Sequence, residues 1–415
     1  MKERNCRRIL QITAHPFPPA IRVVKEGTTL RDAGYRSAVL CPPIKGRPAR
    51  ETWRGIEVYR PDTLAGAATI GDKLLYETLF FSPAWYRALR EVISEENPDV
   101  LHVHDVWLGR TAFAARQGQR VVMDLHENWP AAVVQYLGLF RGAFKWFYGF
   151  YKNPLRVKHY ERALLAKSDL VFVVVQEALR RVLEAHPELS HAKVVNVENL
   201  ESKLFAVHDG GTARFIDDDH FSILYIGGFG PHRGLDTLIG AMKYIKDWRL
   251  NVRLHLIGAT VETVYLKMLR TLIRRLGVES SVRIVGWVPF ETVLGYIDQA
   301  SVGAVPHHSN PHTDNTIPHK LYQYMMVSKP VLVSTSAPLA RVVRAGRAGV
   351  IFTAGDEQDC AERIRDLFED QALSRQYGAN GYRYVMTDGH NWEDESAKAL
   401  VAAYDQLLGV GPLRT

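Results

Sequence analysis

Short apolar runs alternate with amphipathic stretches along most of the chain. Runs of about four to eight mainly apolar residues, bounded by glycine, proline or polar turns, indicate buried strands, whereas apolar residues at three- and four-residue spacing indicate helices. In the first half the predicted strands cover 8–13, 37–41, 56–59, 98–104, 119–128, 168–175 and 193–199. A helix is predicted over 21–32 and another over 74–93, with Pro83 as a break or kink. This alternation predicts a parallel α/β domain.

The same pattern starts again after a polar stretch at 207–212. Predicted strands in the second half cover 221–226, 253–258, 282–288, 302–305 and 331–333, and an amphipathic helix is predicted from Asn391 to Leu408. A chain of 415 residues is too long for one ordinary core and suits two domains. We therefore predict two doubly wound, Rossmann-like domains, over 1–205 and 206–390.

Composition narrows the class of protein without naming a function. Apolar residues make up 47% of the chain and charged residues 23%, which are values typical of globular proteins. The three cysteines, Cys6, Cys41 and Cys360, lack metal-site or disulfide spacing, so we expect a reducing, cytoplasmic location. We expect neither a signal peptide nor a membrane-spanning helix. A net charge of +7 suits phosphate substrates or an anionic membrane face, and no motif indicates nucleic acid.

Two stretches of the second half have features of a phosphate site. A glycine-rich turn at 227–234 contains Arg233 and lies between a predicted strand and a predicted helix. Its backbone and this cation can both approach an anion. Its spacing is not that of a nicotinamide or flavin site. The stretch 315–331 predicts a helix capped by Asn315 or Thr316, with Lys320 in its first turn and Gln323 on the same face. A helix start favours anions, although a solvated lysine on an ordinary helix fits equally well.

The second stretch also resembles a known motif. Ile-Pro-His-Lys-Leu-Tyr-Gln-Tyr-Met over 317–325, followed by Lys-Pro-Val, resembles one branch of the retaining glycosyltransferases of family four. That motif has Glu, seven residues and a second Glu; here Asn315 and Gln323 occupy those two places. The resemblance extends over nearly the whole chain and implies the GT-B fold, in which two doubly wound domains face across a cleft. It also implies that the C-terminal helix, within 391–415, returns to the first domain.

The resemblance implies roles for particular residues. Arg233 and Lys320 would stabilise the departing diphosphate, and Gln323 would bind the ribose. Gly228 falls where the family has a first arginine, so that contact is absent or supplied elsewhere. The residues that the resemblance places around the donor are Gly228, Arg233, Trp287, Val288, Asn315, Thr316, Ile317, Pro318, Lys320 and Gln323.

In the first half, the resemblance gives His126 a role in orienting the donor sugar, at the carboxyl end of a predicted strand. His15 and Arg22 are acceptor-side candidates, although such positions are commonly plain loop and helix surface. His102 and His104 alternate with apolar residues on one strand. Two histidines suggest a metal, but no third ligand is obvious in the sequence, and we expect buried structural histidines and no metal.

Aromatic and basic residues interleave over 140–160. Segments at membrane interfaces have this composition, and so do helices packed within large α/β proteins. Both interpretations remain open from the sequence.

Together with these observations, the resemblance implies a retaining, metal-independent glycosyltransferase without a cofactor, acting in the synthesis of cell-surface polysaccharide. Its expected partners are a nucleotide-sugar donor, which is a substrate, a glycan or lipid-linked acceptor, and an anionic membrane surface at the inner face of the membrane. Two alternatives remain: a nucleotide-sugar epimerase on the same fold, and a non-catalytic sugar-nucleotide-binding protein, which the amides at Asn315 and Gln323 favour. The donor base, the sugar, the acceptor and the linkage are left open.

Overall fold

The computed structural model describes residues 7–18, 20–137, 149, 153–207, 220–258 and 263–410. The chain divides into two compact units, one formed by Met1–Glu198 with Ser396–Thr415 and the other by Asn199–Glu395. The sequence placed the first boundary near residue 205 and the return at 391, whereas the units divide a few residues away from both.

The first unit is built around an eight-stranded sheet with the order β3-β4-β2-β1-β5-β6-β7-β8. Its strands are β1 Arg8–Ile12, β2 Arg36–Leu40, β3 Arg50–Trp53, β4 Ile56–Tyr59, β5 Val100–His104, β6 Arg120–Leu125, β7 Leu170–Val173 and β8 Val194–Asn196. Its helices are α1 Ile21–Asp32, α2 Ile70–Leu79, α3 Pro83–Glu96, α4 Gly109–Ala115, α5 Trp129–Leu137, α6 Pro154–Lys167, α7 Gln176–Ala185 and, from the end of the chain, α15 Ala397–Leu408. All pairings are parallel except that of β3 with β4.

Several predicted elements differ from those observed. The stretch 74–93 forms α2 and α3, and the break predicted at Pro83 is confirmed: Pro83 has no amide hydrogen and starts α3 under a Ser82 cap. The short antiparallel strand β3 was not predicted, since its alternating exposure gives it no apolar run. The final helix, predicted from Asn391, starts as a π-helical turn over Trp392–Ser396 and continues as α15. Its Tyr404 hydroxyl bonds His102 Nδ1 at 2.7 Å, so this helix belongs to the core of the first unit.

The second unit has a six-stranded parallel sheet with the order β11-β10-β9-β12-β13-β14. Its strands are β9 Phe221–Ile226, β10 Val252–Ile257, β11 Val282–Gly286, β12 Val302–Val305, β13 Val331–Ser334 and β14 Gly349–Phe352. Its helices are α8 Leu235–Asp247, α9 Val264–Leu276, α10 Val293–Gln299, α11 His319–Met326, α12 Ala337–Gly346, α13 Glu357–Glu369 and α14 Gln371–Tyr382. The buried core lies mainly between α8, α9, α13 and the sheet.

This order is that of a doubly wound nucleotide-binding sheet, in which the chain moves outward from β9 in one direction and then, from β12, in the other. Ligands of such sheets bind where the direction reverses, beyond the carboxyl ends of the two central strands. In the first unit the corresponding reversal lies between β1 and β5, which pair in parallel.

Candidate functional site

In the second unit, the turn after β9 passes unusually close to other backbone. Gly227 has φ +134°, and a Cβ there would lie 2.6 Å from Lys320 Nζ. Gly234, at φ +68°, precedes α8, and a Cβ there would lie 1.8 Å from the Pro306 carbonyl oxygen. Both positions therefore favour glycine for their conformation, and at Gly234 the backbone contact also leaves no space for a side chain. The glycines bring the turn against the segment after β12 and against α11.

Lys320 lies beneath this turn and is only 8% exposed. Its Nζ sits 3.6 Å from the centre of the Tyr225 ring, a cation–π distance. No carboxylate in the described part of the chain forms an ion pair with it. Burial first, and then the charge of Arg233, hold the pKa of Lys320 well below its usual range. The interpretation of Lys320 as a solvated surface lysine is therefore wrong.

Arg233, half-buried at the end of the turn, donates from Nη1 to His307 Nε2 at 3.2 Å. Acceptance at Nε2 requires His307 to be neutral, and burial followed by the charges of Arg233 and Lys320 holds its pKa well below the usual range. Burial also lowers the pKa of His232 to about 3 and that of His312 to about 4, with Arg233 contributing to both. The site thus concentrates positive potential that an anion would relieve.

The start of α11 differs in detail from the prediction. The N-cap is Pro318, with φ −83° and ψ 141°, rather than Thr316 or Asn315, and no side chain caps the helix. Asn315 cannot be the cap because it ends a preceding turn, where its Nδ2 donates to the Pro311 carbonyl at 2.8 Å. Ile317 is buried, and its carbonyl accepts from Asn199 Nδ2 at 3.0 Å. Lys320 still lies in the first turn, as predicted.

Gln323 has a partner that the sequence did not suggest. Its Nε2 donates to the Glu201 carboxylate at 2.7 Å, and both side chains are buried. Gln323 follows Lys320 by three residues on α11, so the two predicted residues belong to one face of the helix. The sequence did contain a signal for this pair. Gln323 is an amide where the family has a carboxylate, and an amide can donate to a carboxylate from another element, here Glu201.

Of three further predicted donor contacts, Gly228 lies in the turn after β9, whereas Trp287 and Val288 lie elsewhere on the sheet edge. Gly228 bonds Tyr225 through its carbonyl, which accepts from the Tyr225 hydroxyl at 2.7 Å. A Cβ at Gly228 would meet nothing within 4 Å, so an arginine could fit where this chain has none. Trp287, 64% exposed, and Val288 follow β11 at the carboxyl edge of the sheet.

In the first unit, Arg22 lies inside the fold and is 6% exposed. Its Nε and Nη2 each donate to the Asp124 carboxylate at 2.8 Å, and Nη2 lies 3.0 Å from Glu26 Oε1. The Arg22 guanidinium is thus engaged in a buried ion pair and is not on the helix surface, and its acceptor-side role stays a prediction. His15 is exposed in the loop after β1 and stays an acceptor-side candidate.

His126 follows β6 and shares the carboxylate of Asp124, with its Nε2 2.8 Å from Oδ2. Its Nδ1 lies 3.5 Å from Asp105 Oδ2. Burial opposes a charge on this ring, but Asp105 and then Asp124 outweigh it and raise the pKa of His126 to about 9. His126 is therefore an imidazolium at neutral pH. It lies at the carboxyl edge of the sheet, the position predicted for it.

His102 and His104 do have further potential metal ligands near them, contrary to the sequence expectation. Atoms of Glu26, His102, His104 and Asp124 lie within 4.8 Å of one another, all buried. The sequence could not reveal this group because Glu26 comes from α1 and Asp124 from β6. Both carboxylates are paired with Arg22, however, and a guanidinium would repel a metal ion in the same place. The group is better described as an ion-pair network, and the absence of a metal stays a prediction.

Two family models match this chain, one in each half. Residues 213–384 match the family described as glycosyl transferases group 1, and residues 20–199 match the glycosyl transferase 4-like domain. An uncharacterized glycosyltransferase of Methanocaldococcus jannaschii is 22% identical over 58% of this chain and 61% of its own, so the chain spans about three fifths of that relative. A phosphatidyl-myo-inositol mannosyltransferase of Mycolicibacterium smegmatis is 23% identical over 94% of this chain and 90% of its own.

Solved structures agree on the fold. Sucrose-phosphate synthase from Thermosynechococcus elongatus has a TM-score of 0.77 at 19% identity and covers 98% of this chain and 100% of its own. Anabaena HepE in complex with UDP-glucose has a TM-score of 0.68 at 15% identity, over 97% of this chain and 99% of its own. The predicted GT-B fold class is confirmed. Among the residues that the structure describes, no helix combines the length and the apolarity needed to cross a membrane.

Proposed function

The chain is a glycosyltransferase with the GT-B fold, and we propose that it transfers a sugar, with retention of anomeric configuration, from a nucleotide-sugar donor to a glycan or lipid-linked acceptor. We propose further that it needs no metal or cofactor and acts in cell-surface polysaccharide synthesis on the cytoplasmic side of a membrane.

One observation carries the proposal: Lys320 is a buried lysine with Arg233 nearby and no carboxylate partner among the described residues, so its ammonium form is disfavoured until an anion binds. An ammonium group in such a place raises the free energy of the fold unless an anion binds there. It lies beside the turn after β9, at the reversal of strand direction, where nucleotides bind in doubly wound sheets. A diphosphate supplies the missing charge.

In the reaction, the bond between the anomeric carbon and the diphosphate oxygen breaks, and negative charge grows on the leaving group. Arg233 and Lys320 would stabilise that charge in a site already oriented for it. His307 accepts a hydrogen bond from Arg233 and so fixes its direction. Gln323 would bind the ribose. His126, positively charged in the first unit, would orient the donor sugar; no residue is assigned as a covalent nucleophile.

Kinetics of three variants test this assignment. Because their interactions strengthen as the leaving group becomes charged, Arg233→Ala and Lys320→Ala should each lower kcat on the order of a hundredfold, as loss of one preorganised donor does. Gln323→Ala should mainly raise KM, since a ribose contact is similar in the ground and transition states. Near-wild-type turnover in both cation variants would overturn the proposal. Isomerised donor without acceptor would identify an epimerase, and donor binding without turnover across a broad acceptor panel a binding protein.

A further inference from the structure

Glu201 occupies an unusual position in the second unit. This carboxylate is 3% exposed and accepts a hydrogen bond from Gln323 Nε2 at 2.7 Å. Its other oxygen accepts from the backbone N–H of Ser202 at 2.8 Å. The Glu201 carbonyl accepts from the backbone N–H of Trp392 at 2.9 Å. The backbone therefore holds one oxygen of the Glu201 carboxylate in place, and the other oxygen holds the Gln323 side chain.

The chemistry of the pair fixes which way the amide of Gln323 points. An ionised carboxylate has lone pairs and no hydrogen to donate, so it must face the nitrogen of an amide rather than the oxygen. The oxygen, Oε1, is then directed away from Glu201. No described residue bonds this oxygen, and Gln323 belongs to the face of α11 that carries Lys320. A charge-assisted hydrogen bond is strong enough to hold one orientation.

We propose that Glu201 is a positioning residue for nucleoside recognition: it orients Gln323 so that Oε1 accepts a hydrogen bond from a ribose hydroxyl of the donor. This inference rests on the proposed function and adds a residue to its site. The second amide hydrogen on Nε2 remains able to donate to the other hydroxyl of a cis-diol. The pair thus selects ribonucleotides over deoxyribonucleotides through a carboxylate that does not itself touch the sugar.

The pair also explains why an amide serves at position 323. A glutamate there would place a second carboxylate about where the amide nitrogen lies, 2.7 Å from Glu201 Oε2. Two carboxylates at that separation cannot both ionise without a large increase in free energy. The exchange Glu201→Gln with Gln323→Glu reverses the two partners and restores one carboxylate and one amide. That double variant separates the effect of the pair from the effect of either residue.

The experiment measures binding to the full chain by calorimetry, first with UDP, GDP and ADP, and then with the 2′-deoxy and 3′-deoxy forms of whichever nucleotide binds. Wild type should prefer the ribonucleotide to at least one deoxy form by about tenfold, as expected for one well-placed hydrogen bond. Glu201→Gln should weaken the ribonucleotide about fivefold and leave that deoxy form unchanged, because a neutral partner no longer fixes the amide.

Gln323→Glu should weaken the ribonucleotide more strongly than Glu201→Gln does, and the double variant should recover the ribose preference to within about threefold of wild type. The double variant also keeps the test available if Glu201→Gln folds poorly, which thermal melting reveals. An unchanged ratio of ribonucleotide to deoxyribonucleotide affinity in folded Glu201→Gln, or a double variant no better than Gln323→Glu, would overturn the inference. If wild type binds none of the three diphosphates, the proposed function itself fails.

Discussion

Replacing Lys320 by methionine separates a ligand-binding lysine from a structural one. Methionine keeps a stem of similar length and shape while removing the ammonium group. In the free protein that group is buried, lies over the Tyr225 ring, and has no carboxylate partner among the described residues. Its removal therefore breaks no ion pair that contributes to folding.

Lys320→Met should change the stability of the protein little and its affinity for a diphosphate strongly. Loss of the cation–π contact costs up to about 2 kcal/mol, and relief of the desolvated charge near Arg233 offsets it. We expect the two to cancel to within about 1 kcal/mol, which moves Tm by less than about 4 °C for a unit of this size. Binding of a diphosphate should lose one charge-assisted contact of about 1.5–3 kcal/mol. That loss corresponds to about 10- to 150-fold weaker binding.

The assay pairs thermal melting with calorimetric titration of a nucleoside diphosphate. Lys329→Met is a matched control from the same unit. Lys329 follows the C-terminal end of α11, whereas Lys320 lies in its first turn, and the Lys329 ammonium group donates to the Asp298 carbonyl. It should leave diphosphate affinity unchanged. A Lys320→Met protein that melts more than about 8 °C lower yet binds diphosphate as wild type does would refute the reasoning and make the lysine structural.

Four further outcomes are expected, the first three from the geometry and the last from the sequence. Asp124→Asn should lower the free energy of unfolding by about 3–5 kcal/mol in denaturant melts, because it removes the carboxylate that the buried Arg22 guanidinium contacts through both Nε and Nη2 and leaves Arg22 with the Glu26 contact. Glu26→Gln should cost far less, since burial and then Asp124 raise the pKa of Glu26. The raised pKa of His126 should add stability fully present below pH 6.5 and lost as pH rises through about 9, and Asp124→Asn should shrink that dependence. Gly234→Ala should lower Tm by at least about 5 °C, because it combines positive φ with a backbone clash, while Gly228→Ala changes it little. Wild type should co-sediment with anionic vesicles at low salt, and less protein should do so as salt rises or when Lys145, Lys152 and Lys158 are replaced by glutamate. If wild type does not bind the vesicles, the aromatic and basic run over 140–160 serves packing.

The sequence predicted the parallel architecture because buried strands are contiguous apolar runs, and contiguity is visible in a chain. The 21–32 helix and the strands at 56–59 and 221–226 were predicted with the bounds the structure gives them. The edge strand β3 lacks such a run, and its partner sets its conformation. The basic and aromatic run over 140–160 lies largely outside the described residues, so the structure does not test whether its role is interfacial.

The site could be predicted only where one segment carries the signal. Lys320 and Arg233 were predicted as site residues because each belongs to a helix start or a glycine turn within a few residues, and their binding of a donor stays a prediction. Asp124 and Glu201 were missed because their importance comes from partners far away in sequence: Asp124 pairs with Arg22, and Glu201 with Gln323. Side chains of that kind become visible when the fold brings separate elements together.

The direct test of the central claim is whether the pair of cations near β9 binds a diphosphate. Calorimetric titration of wild type with a nucleoside, its monophosphate and its diphosphate, for uridine, guanosine and adenosine, measures the contribution of each phosphate. For at least one base, we predict that affinity rises sharply from nucleoside to diphosphate, and that Lys320→Met removes most of the gain from the phosphates. Affinity that is independent of the phosphates, or no binding of any diphosphate at millimolar concentration, would contradict the account.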